Sequence, residues 1–359
     1  MKKILIINTN IFNRNGMSTV VMNYYQCMDR SNKKFDFISN EYMEPDFKKY
    51  IEDHEDKVFM FSNRKKFPIK YFSSIRKIIK KNHYDVIHIH TNSSTVSIEL
   101  LAIQLSRSNA KVILHAHGVT TNHPYIHKFF KNYVNRNIDI ALASSDKAGK
   151  FLFTDQKKFK VIKNGINTKK FEFNEADRKL IRKKLNISDD TKLLVHVAAF
   201  SKNKNHDFLI ELCNEMKTKL LDFKLILIGT GELEKEIQQL VNDYSLMDKV
   251  IFLGSIQDIE KYYSASDIFL LPSIHESFGI VAIEAQANGL PCLVSTALPR
   301  TVKLTDNIEF LSIERINFEI WIEKIKKLKR NSIDSVNNWT TKEYEITSIV
   351  GEISELYEK

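Results

Sequence analysis

Residues Ile268–Ser295, IFLLPSIHESFGIVAIEAQANGLPCLVS, contain one complete repeating unit of the fold. The stretch begins and ends with short apolar runs, Ile268–Leu271 and Cys292–Ser295, which have the length and composition of buried strands. Between them, the turn at Ser277-Phe-Gly279 leads into a helical pattern that ends at Asn288-Gly289. Two such strands joined by a helix predict parallel neighbours in a sheet that is covered on both faces.

The same alternation of strand and helix patterns runs through the whole chain. The other predicted strands are Ile4–Asn8, Phe35–Ile38, Val58–Phe61, Val86–His90, Val112–His115, Ile138–Ala143, Phe159–Ile162, Leu193–Val197, Lys224–Ile228 and Val250–Leu253. The pattern predicts an α/β protein with two doubly wound, Rossmann-like domains, at residues 1–168 and 169–339. Such sheets bind ligands at the carboxyl ends of their strands, so two facing domains would form an interdomain cleft.

Length and composition bound the class of protein. The chain has 359 residues, enough for two domains of ~100–200 residues each, and 43% hydrophobic residues exclude a disordered chain. Its three cysteines, Cys27, Cys213 and Cys292, are far apart in apolar runs, which predicts reduced thiols in an intracellular protein. The first apolar run has four residues before Asn8, which fits a strand better than a signal peptide. No apolar run approaches the ~18 residues that a membrane span needs.

The net charge of +10 is unevenly distributed. Residues 1–200 carry 36 Lys and Arg against 19 Asp and Glu, whereas residues 201–359 carry 18 against 25. The basic half predicts an anionic partner, namely a phosphate, a nucleic acid or an anionic membrane surface. The alternative is that the basic excess has no anionic partner and only reflects the high lysine content of the whole chain.

Two carboxylates lie on either side of the Ser277-Phe-Gly279 turn. Glu276 belongs to the loop at the carboxyl end of a strand, and Glu284 lies inside the following apolar helix, where it needs a hydroxyl or amide partner. The free N–H groups at the helix start suit a phosphate. The arrangement favours a ligand that is a polyhydroxylated phosphate ester, and the alternative is a capped helix with one solvated glutamate.

At these residues the sequence resembles the family 4 retaining glycosyltransferases of the GT-B fold. The Glu-x7-Glu pattern with Phe-Gly inside it, followed by Gly-Leu-Pro, looks like that family's signature, and Leu304-Thr-Asp-Asn307 is similar to its bacterial exopolysaccharide and capsule branch. By this resemblance Glu276 contacts the hydroxyls of the donor sugar and Glu284 contacts the nucleotide ribose. The resemblance also implies that Ser277, Phe278, Gly279 and Ile280 line the sugar and diphosphate, and that a C-terminal helix at about 340–359 packs on the first domain.

The resemblance implies a second donor element after the strand Leu193–Val197. The family usually has Gly-Arg there and a lysine a few residues later, and the two cations hold the donor diphosphate. Here Lys204 is in the expected place, but Ala198 and Ala199 replace the Gly-Arg pair. Lys202 offers a positive charge in place of the missing arginine, but a lysine is a point charge and lacks the bidentate geometry of arginine.

Three further positions are assigned to donor binding by the resemblance, and each has a structural alternative. Gly16 opens a helix after the first strand, where the family commonly has Gly-Gly. Gly229 belongs to a Gly-Thr-Gly turn on the nucleotide side, and Asn164 begins Asn-Gly-Ile-Asn, which resembles the family's Asn-Gly-Val-Asp loop. Ordinary turns explain all three equally well.

The segment His115-Ala-His-Gly118 ends a predicted strand. By resemblance His117 lies near the transferred sugar, where a neutral imidazole bonds a hydroxyl or orients the acceptor, and the alternative is a structural histidine. His88 and His90 end the preceding strand and are interpreted as core or loop residues. The spacing shows no carboxylate or thiol at metal-ligand positions, and there is no Asp-x-Asp motif, so neither a metal nor another cofactor is expected.

A basic segment with aromatic and aliphatic residues spans residues 62–81, and residues 125–133 have a similar character. Their cations are Arg64, Lys65, Lys66, Lys70, Arg76, Lys77, Lys80, Lys81, Lys128 and Lys131. Such amphipathic stretches suit an anionic bilayer surface, and the alternative is ordinary surface helices with one side in the core. A nucleic acid is rejected as partner because the chain has no recognised nucleic-acid module and its second half is acidic.

Together these features predict a retaining hexosyltransferase that uses a UDP-sugar and a lipid-linked saccharide acceptor in surface polysaccharide synthesis. The predicted enzyme is cytoplasmic and peripherally attached to the inner face of the membrane, with the acceptor on the N-terminal domain and the donor on the C-terminal domain. Two alternatives stay open. One is a nucleotide-sugar epimerase on the same fold, and the other is a non-catalytic partner of a glycosyltransferase, which Ala199 favours.

Overall fold

A computed structural model describes residues 1–219, 221–276, 278–330 and 344–358. These residues divide into two compact units. The first unit contains residues 1–165 together with 344–358, and the second contains the described residues from Ile166 to Arg330. The division follows Gly165, three residues before the boundary that the sequence predicts.

The first unit is built on a sheet of seven parallel strands. The strands are β1 (Lys2–Asn8), β2 (Lys33–Asn40), β3 (Lys57–Phe61), β4 (Val86–Thr91), β5 (Lys111–Ala116), β6 (Ile140–Ala143) and β7 (Lys160–Val161). Their order across the sheet is β3-β2-β1-β4-β5-β6-β7. The helices are α1 (Gly16–Cys27), α2 (Pro45–Asp53), α3 (Pro68–Asn82), α4 (Ser97–Ser106), α5 (Pro124–Arg136), α6 (Asp146–Leu152) and the C-terminal helix (Ile346–Glu358).

Strand alternation assigns the two faces of this sheet to different helices. Leu5, Ile7 and Ile89 share one core cluster with Tyr71 and Ile75 of α3, which are buried at a spacing of four residues. The opposite face is covered by α1 and the C-terminal helix, which pack against each other, and the C-terminal helix also packs against β1. The carboxyl ends of all seven strands lie at one edge of the sheet, because every pairing is parallel.

The second unit repeats the architecture with six parallel strands. They are β8 (Lys192–Val197), β9 (Phe223–Ile228), β10 (Val250–Gly254), β11 (Ile268–Leu271), β12 (Cys292–Ser295) and β13 (Ile308–Leu311), in the order β10-β9-β8-β11-β12-β13. The helices are α7 (Glu175–Lys184), α8 (His206–Thr218), α9 (Glu234–Asp243), α10 (Ile259–Ala265), α11 (Ile280–Ala287) and α12 (Phe318–Lys327).

The predicted pair of doubly wound parallel sheets is confirmed. The sequence reading missed β13, because this edge strand is short, contains Glu309 and is half-buried along most of its length. In each sheet the winding reverses at one place, between β1 and β4 in the first unit and between β8 and β11 in the second. Sheets of this kind bind ligands at such switch points. No helix in the described part of the chain is long and apolar enough to cross a membrane.

Candidate active site

The loops that follow β8 and β11 are joined at the switch point of the second sheet. The backbone N–H of Ile274 donates to the carbonyl of Asn203 over 2.9 Å. The side-chain amide of Asn205 donates to the carbonyl of Pro272 over 3.1 Å. These bonds connect a segment early in the unit to the loop of the Glu-x7-Glu motif, so that side chains far apart in sequence meet.

Lys204 and Glu276 form an ion pair across these two loops. The Ser273 hydroxyl donates to the same Oε2 atom of Glu276 over 3.4 Å. The side chain of Lys204 is 23% exposed and that of Glu276 is 13% exposed, so both groups are partly screened but within reach of a ligand. The structure thus brings together a cation and a carboxylate that are 72 residues apart in sequence.

Gly279 makes the turn that carries the chain from Glu276 into α11. Its φ of +81° lies in the left-handed region, and a Cβ there would come within 3.2 Å of Leu298 and 3.4 Å of the Glu276 side chain. Phe278 directly precedes this glycine, and Ile280 is the first residue of α11. Ser277, the remaining predicted residue of the turn, lies outside the described residues. The first N–H groups of a helix lack intrahelical acceptors, which makes this start a suitable place for an anion.

Glu284 is buried in α11 and has the hydroxyl partner that its burial requires. The Tyr263 hydroxyl donates to its Oε2 atom over 3.2 Å, and the residue is 6% exposed. Burial raises the pKa of Glu284 to about 7. At neutral pH the carboxyl group is therefore protonated in part of the molecules, where it donates a hydrogen bond, and ionised in the rest, where it only accepts hydrogen bonds.

The turn that follows β9 lies directly against the end of β8. A Cβ at Gly229 would overlap the carbonyl oxygen of Ala198, and one at Gly231 would overlap that of Phe200. Close backbone approach therefore explains these glycines structurally. Ala199, where the family usually has arginine, is exposed and contributes no charge at this edge.

In the first unit the corresponding edge is formed by the loops after β1, β4 and β5. The N–H of Thr9 donates to the carbonyl of His90 over 3.1 Å, and the N–H of His117 donates to the carbonyl of Thr91 over 2.9 Å. Gly16 begins α1 at this edge, where a Cβ would meet no described atom within 4 Å. The observed packing therefore does not require glycine at residue 16.

Asn164 belongs to the first unit, in the loop that follows β7. The residue is 8% exposed, and its side-chain oxygen has no partner among the described residues. A Cβ on the neighbouring Gly165 would come within 3.1 Å of Ile346 and 2.8 Å of Ile349 in the C-terminal helix. The Asn-Gly pair is thus packed beneath that helix, and a donor contact for Asn164 stays a prediction.

The comparisons with known proteins agree with this architecture. Residues 14–170 match the model for Glycosyltransferase Family 4, and residues 177–345 match the model for Glycosyl transferases group 1. EpsF of Bacillus subtilis (strain 168), which is named as a glycosyltransferase, is 30% identical over 302 residues, covering 81% of this chain and 78% of EpsF. The chain belongs to glycosyltransferase family 4.

Two further proteins are similar to this glycosyltransferase, one in sequence and one in fold. An Escherichia coli protein named UDP-Gal:alpha-D-GlcNAc-diphosphoundecaprenol alpha-1,3-galactosyltransferase is 25% identical over 310 residues, 80% of this chain and 79% of that one. The crystal structure of HepE from Anabaena in complex with UDP and glucose has a TM-score of 0.80 at 18% identity over the full length of both chains. The predicted GT-B fold is confirmed.

The main feature that the sequence reading missed is a histidine cluster in the first unit of the glycosyltransferase. His88 and His90 lie on β4, His115 lies on β5 directly opposite His90, and all three are buried. One ring nitrogen from each lies within 4.8 Å of the other two. Two His-x-His segments at the ends of consecutive strands were the available signal, because alternate residues of paired strands share a face.

His117 extends this cluster toward the sheet edge. Its Nε2 atom lies 3.0 Å from Nδ1 of His90, and the two rings are 5.2 Å apart. Burial lowers the pKa of His117 to about 3, so the ring is neutral at physiological pH. A neutral imidazole at the carboxyl end of β5 is able to accept or donate one hydrogen bond to a sugar hydroxyl.

Proposed function

We propose that this glycosyltransferase moves a hexose from a UDP-sugar to a hydroxyl group of a lipid-linked saccharide during assembly of a bacterial surface polysaccharide. In this proposal the second unit holds the donor and the first unit holds the acceptor. The transfer retains the anomeric configuration and needs neither a metal ion nor another cofactor. The observation that carries the proposal is the Lys204–Glu276 pair beside the start of α11, at the switch point of the second sheet.

Donor binding rearranges this ion pair. Lys204 turns to the diphosphate, together with the N–H groups at the start of α11, and Glu276 accepts hydrogen bonds from the hydroxyls of the sugar. Glu284, whose carboxyl group is buried beside Tyr263, holds the ribose hydroxyls. Gly229 lies at the nucleotide side, while Gly16 and Asn164 contribute donor contacts from the first unit. The positive charge of Lys204 then stabilises the phosphate that departs.

Retention follows from attack on the face that the leaving group vacates. The acceptor oxygen forms a bond to the anomeric carbon as the bond between that carbon and the phosphate oxygen breaks. The proton of the acceptor hydroxyl passes to the departing phosphate oxygen. Glu276 positions the sugar in this scheme and does not attack it, and neutral His117 bonds a sugar hydroxyl.

The relatives support the choice of substrates. The Escherichia coli relative is named for a UDP-galactose donor and a diphosphoundecaprenol-linked acceptor. HepE, which resembles this chain in fold, is described in complex with UDP-glucose. A UDP-sugar fits a site that offers carboxylates to hydroxyls and a cation to a diphosphate.

A donor screen tests the proposal. Purified enzyme is incubated with a series of nucleotide sugars and a lipid-linked acceptor, and UDP release and product mass are measured. Transfer predicts UDP release together with an acceptor heavier by one hexose, and added Mg²⁺ or Mn²⁺ leaves the rate unchanged. Isomerised UDP-sugar without acceptor would instead identify an epimerase, and no reaction with any pair would identify a non-catalytic partner.

Replacing Lys204 by alanine is expected to weaken UDP binding about tenfold or more, because a charge-assisted contact to phosphate contributes about 1.5–3 kcal/mol. Titration calorimetry with UDP measures the change. Lys202→Ala is the matched control, since this lysine is exposed in the same short turn. Equal affinity in Lys204→Ala and the unmodified enzyme would mean that another group holds the diphosphate.

Introducing arginine at Ala199 is expected to strengthen UDP binding by about tenfold, because a guanidinium adds a bidentate contact to phosphate. Ala199 is exposed, so the longer side chain fits without disturbing the core. The same calorimetric titration measures the gain, and Ala199→Gln separates length from charge. If Ala199→Arg bound UDP no better than Ala199→Gln, the position would not face the diphosphate.

We further propose that the first unit attaches peripherally to the inner, cytoplasmic face of the cell membrane. The helices α3 and α5 both start at the carboxyl edge of the sheet, where exposed apolar side chains are mixed with lysines. These apolar residues are Phe67, Ile69, Tyr125, Ile126 and Phe129, with exposures from 45% to 87%. Core packing explains the other side of α3 but not these side chains, which suit a lipid interface.

Vesicle binding is expected to need both the charge and the aromatic residues of this surface. Vesicles with anionic lipid should retain several times more protein at low salt than neutral vesicles, since each lysine near such a surface contributes about 1 kcal/mol. Phe129→Glu should reduce retention, and Met247→Glu, at an exposed apolar residue of the second unit, is the control. Equal retention on both kinds of vesicle would rule out the membrane role.

A further inference from the structure

The histidine cluster leaves several imidazole nitrogens without hydrogen-bond partners. Within the described part of the chain, Nε2 of His88, both ring nitrogens of His115 and Nδ1 of His117 are buried and unpaired. A neutral imidazole carries one donor and one acceptor, and each buried polar group left unpaired costs about 1–3 kcal/mol. So many unpaired atoms in one place indicate a bound species that completes their interactions.

The geometry of the cluster resembles the donor set of a metal site. His88 and His90 project from β4 and His115 from β5, onto the face that α1 and the C-terminal helix cover. Their candidate ligand atoms lie within 4.8 Å of one another, so small side-chain rotations bring them to the spacing that nitrogen ligands at about 2.0–2.1 Å from zinc require.

Outer contacts hold two of these rings in place, as is usual for metal-bound histidines. Nδ1 of His88 lies 2.7 Å from the hydroxyl of Tyr357, and Nδ1 of His90 lies 3.0 Å from Nε2 of His117. The ring of Tyr24 lies parallel to that of His115 at 6.2 Å. Nδ1 of each held ring therefore faces a protein partner, and Nε2 of His88 is left unpaired for a ligand.

We propose that His88, His90 and His115 bind one divalent transition-metal ion of the zinc type. Three imidazole ligands favour Zn²⁺ and related ions over Mg²⁺ or Ca²⁺, which prefer oxygen. Three protein ligands leave a fourth position for water or hydroxide. The ion has a structural role in the first unit and supplies no step of the proposed transfer, in which Lys204, Glu276 and Glu284 of the second unit hold the diphosphate, the sugar and the ribose. A bound ion differs from the sequence expectation, which is that the chain binds no metal.

Metal content of the unmodified chain is the primary test. Protein carrying no histidine tag is purified without chelator, incubated with excess ZnSO₄, desalted and analysed by mass spectrometry for zinc. About one zinc per chain is expected, and bound Co²⁺ should show the visible absorption of a tetrahedral ion. A chain that retains no stoichiometric zinc would overturn the proposal and point to internal water instead.

Variants locate the ion. His115→Gln is expected to bind zinc at least about 100-fold more weakly, and Tyr357→Phe about tenfold more weakly, because it removes only the outer contact of His88. His127→Gln is the matched control, since His127 is a buried histidine of the same unit that bonds Ser94 and Phe151 outside the cluster. Circular dichroism verifies folding. Zinc retained in folded His115→Gln, or lost in His127→Gln, would contradict the assignment.

Discussion

Replacing Glu276 by alanine is expected to lower the rate of sugar transfer by at least about 10²- to 10³-fold, the range found when one positioned group is removed from a transition-state contact. Glu276 is the carboxylate that the joined loops of β8 and β11 bring beside Lys204 and the start of α11. Without it the sugar hydroxyls lose their acceptor and the anomeric carbon is no longer positioned. The measurement is the turnover number for UDP release with saturating donor and acceptor.

The fold should survive this substitution. Lys204 is already 23% exposed, so removal of its partner leaves a cation that water can solvate, and Ser273 loses only one weak contact. Glu309→Ala is the matched control, because this half-exposed carboxylate pairs with Lys324 in the same unit, on β13. Glu276→Gln keeps the shape and tests the charge. Near-normal turnover of folded Glu276→Ala would place the donor sugar elsewhere.

Acid is expected to lower the stability of the second unit between pH 6 and pH 4, because two buried histidines contribute about 5 kcal/mol of destabilisation and Glu284, whose pKa is raised, offsets about 2 kcal/mol of it. Burial lowers the pKa of His196 to about 4 and that of His206 to about 2. The unfolded chain has histidines with pKa near 6.5, so below that pH it binds protons that the folded unit does not accept. Stability contributed by these groups is therefore fully present above about pH 6.5 and falls as the pH decreases.

The surroundings of these two histidine rings explain why their protonation is unfavourable. Nδ1 of His196 lies 2.8 Å from the carbonyl of Leu270, and the ring of His206 lies edge-on at 4.7 Å. Lys204 adds positive charge nearby, which lowers both pKa values further. A second proton on either ring would be a buried cation without a counterion.

Urea unfolding from pH 7 to pH 4, followed by fluorescence of buried Trp321, measures this effect. In His206→Gln the unfolding free energy should decrease less steeply as the pH falls. Below pH 6 its slope should be smaller than that of the unmodified protein by about 1.4 kcal/mol per pH unit. His275→Gln, at an exposed histidine of the same unit, should leave the slope unchanged. Identical slopes for all three proteins would show that His206 accepts its proton in the folded state.

Much of the fold follows from local patterns in the sequence. Runs such as Ile268–Leu271 and Leu193–Val197 are apolar enough to be buried on both faces, and the helices between them have one apolar side. The elements that escaped prediction, such as β13, are short and half-buried, so their composition resembles that of loops. The Glu-x7-Glu motif likewise identifies its own loop and helix start, because all of its residues lie within one turn-and-helix unit.

The sequence by itself determined the two doubly wound sheets, the family and the motif residues Glu276, Gly279 and Glu284. Only the tertiary structure decided that Lys204 pairs with Glu276, that Tyr263 is the partner of Glu284, and that the histidines of β4 and β5 converge. The physical reason is that strand and helix patterns repeat over two to four residues and are set by local burial. Contacts between loops and between strands depend on sheet order and register, which join residues far apart in the chain.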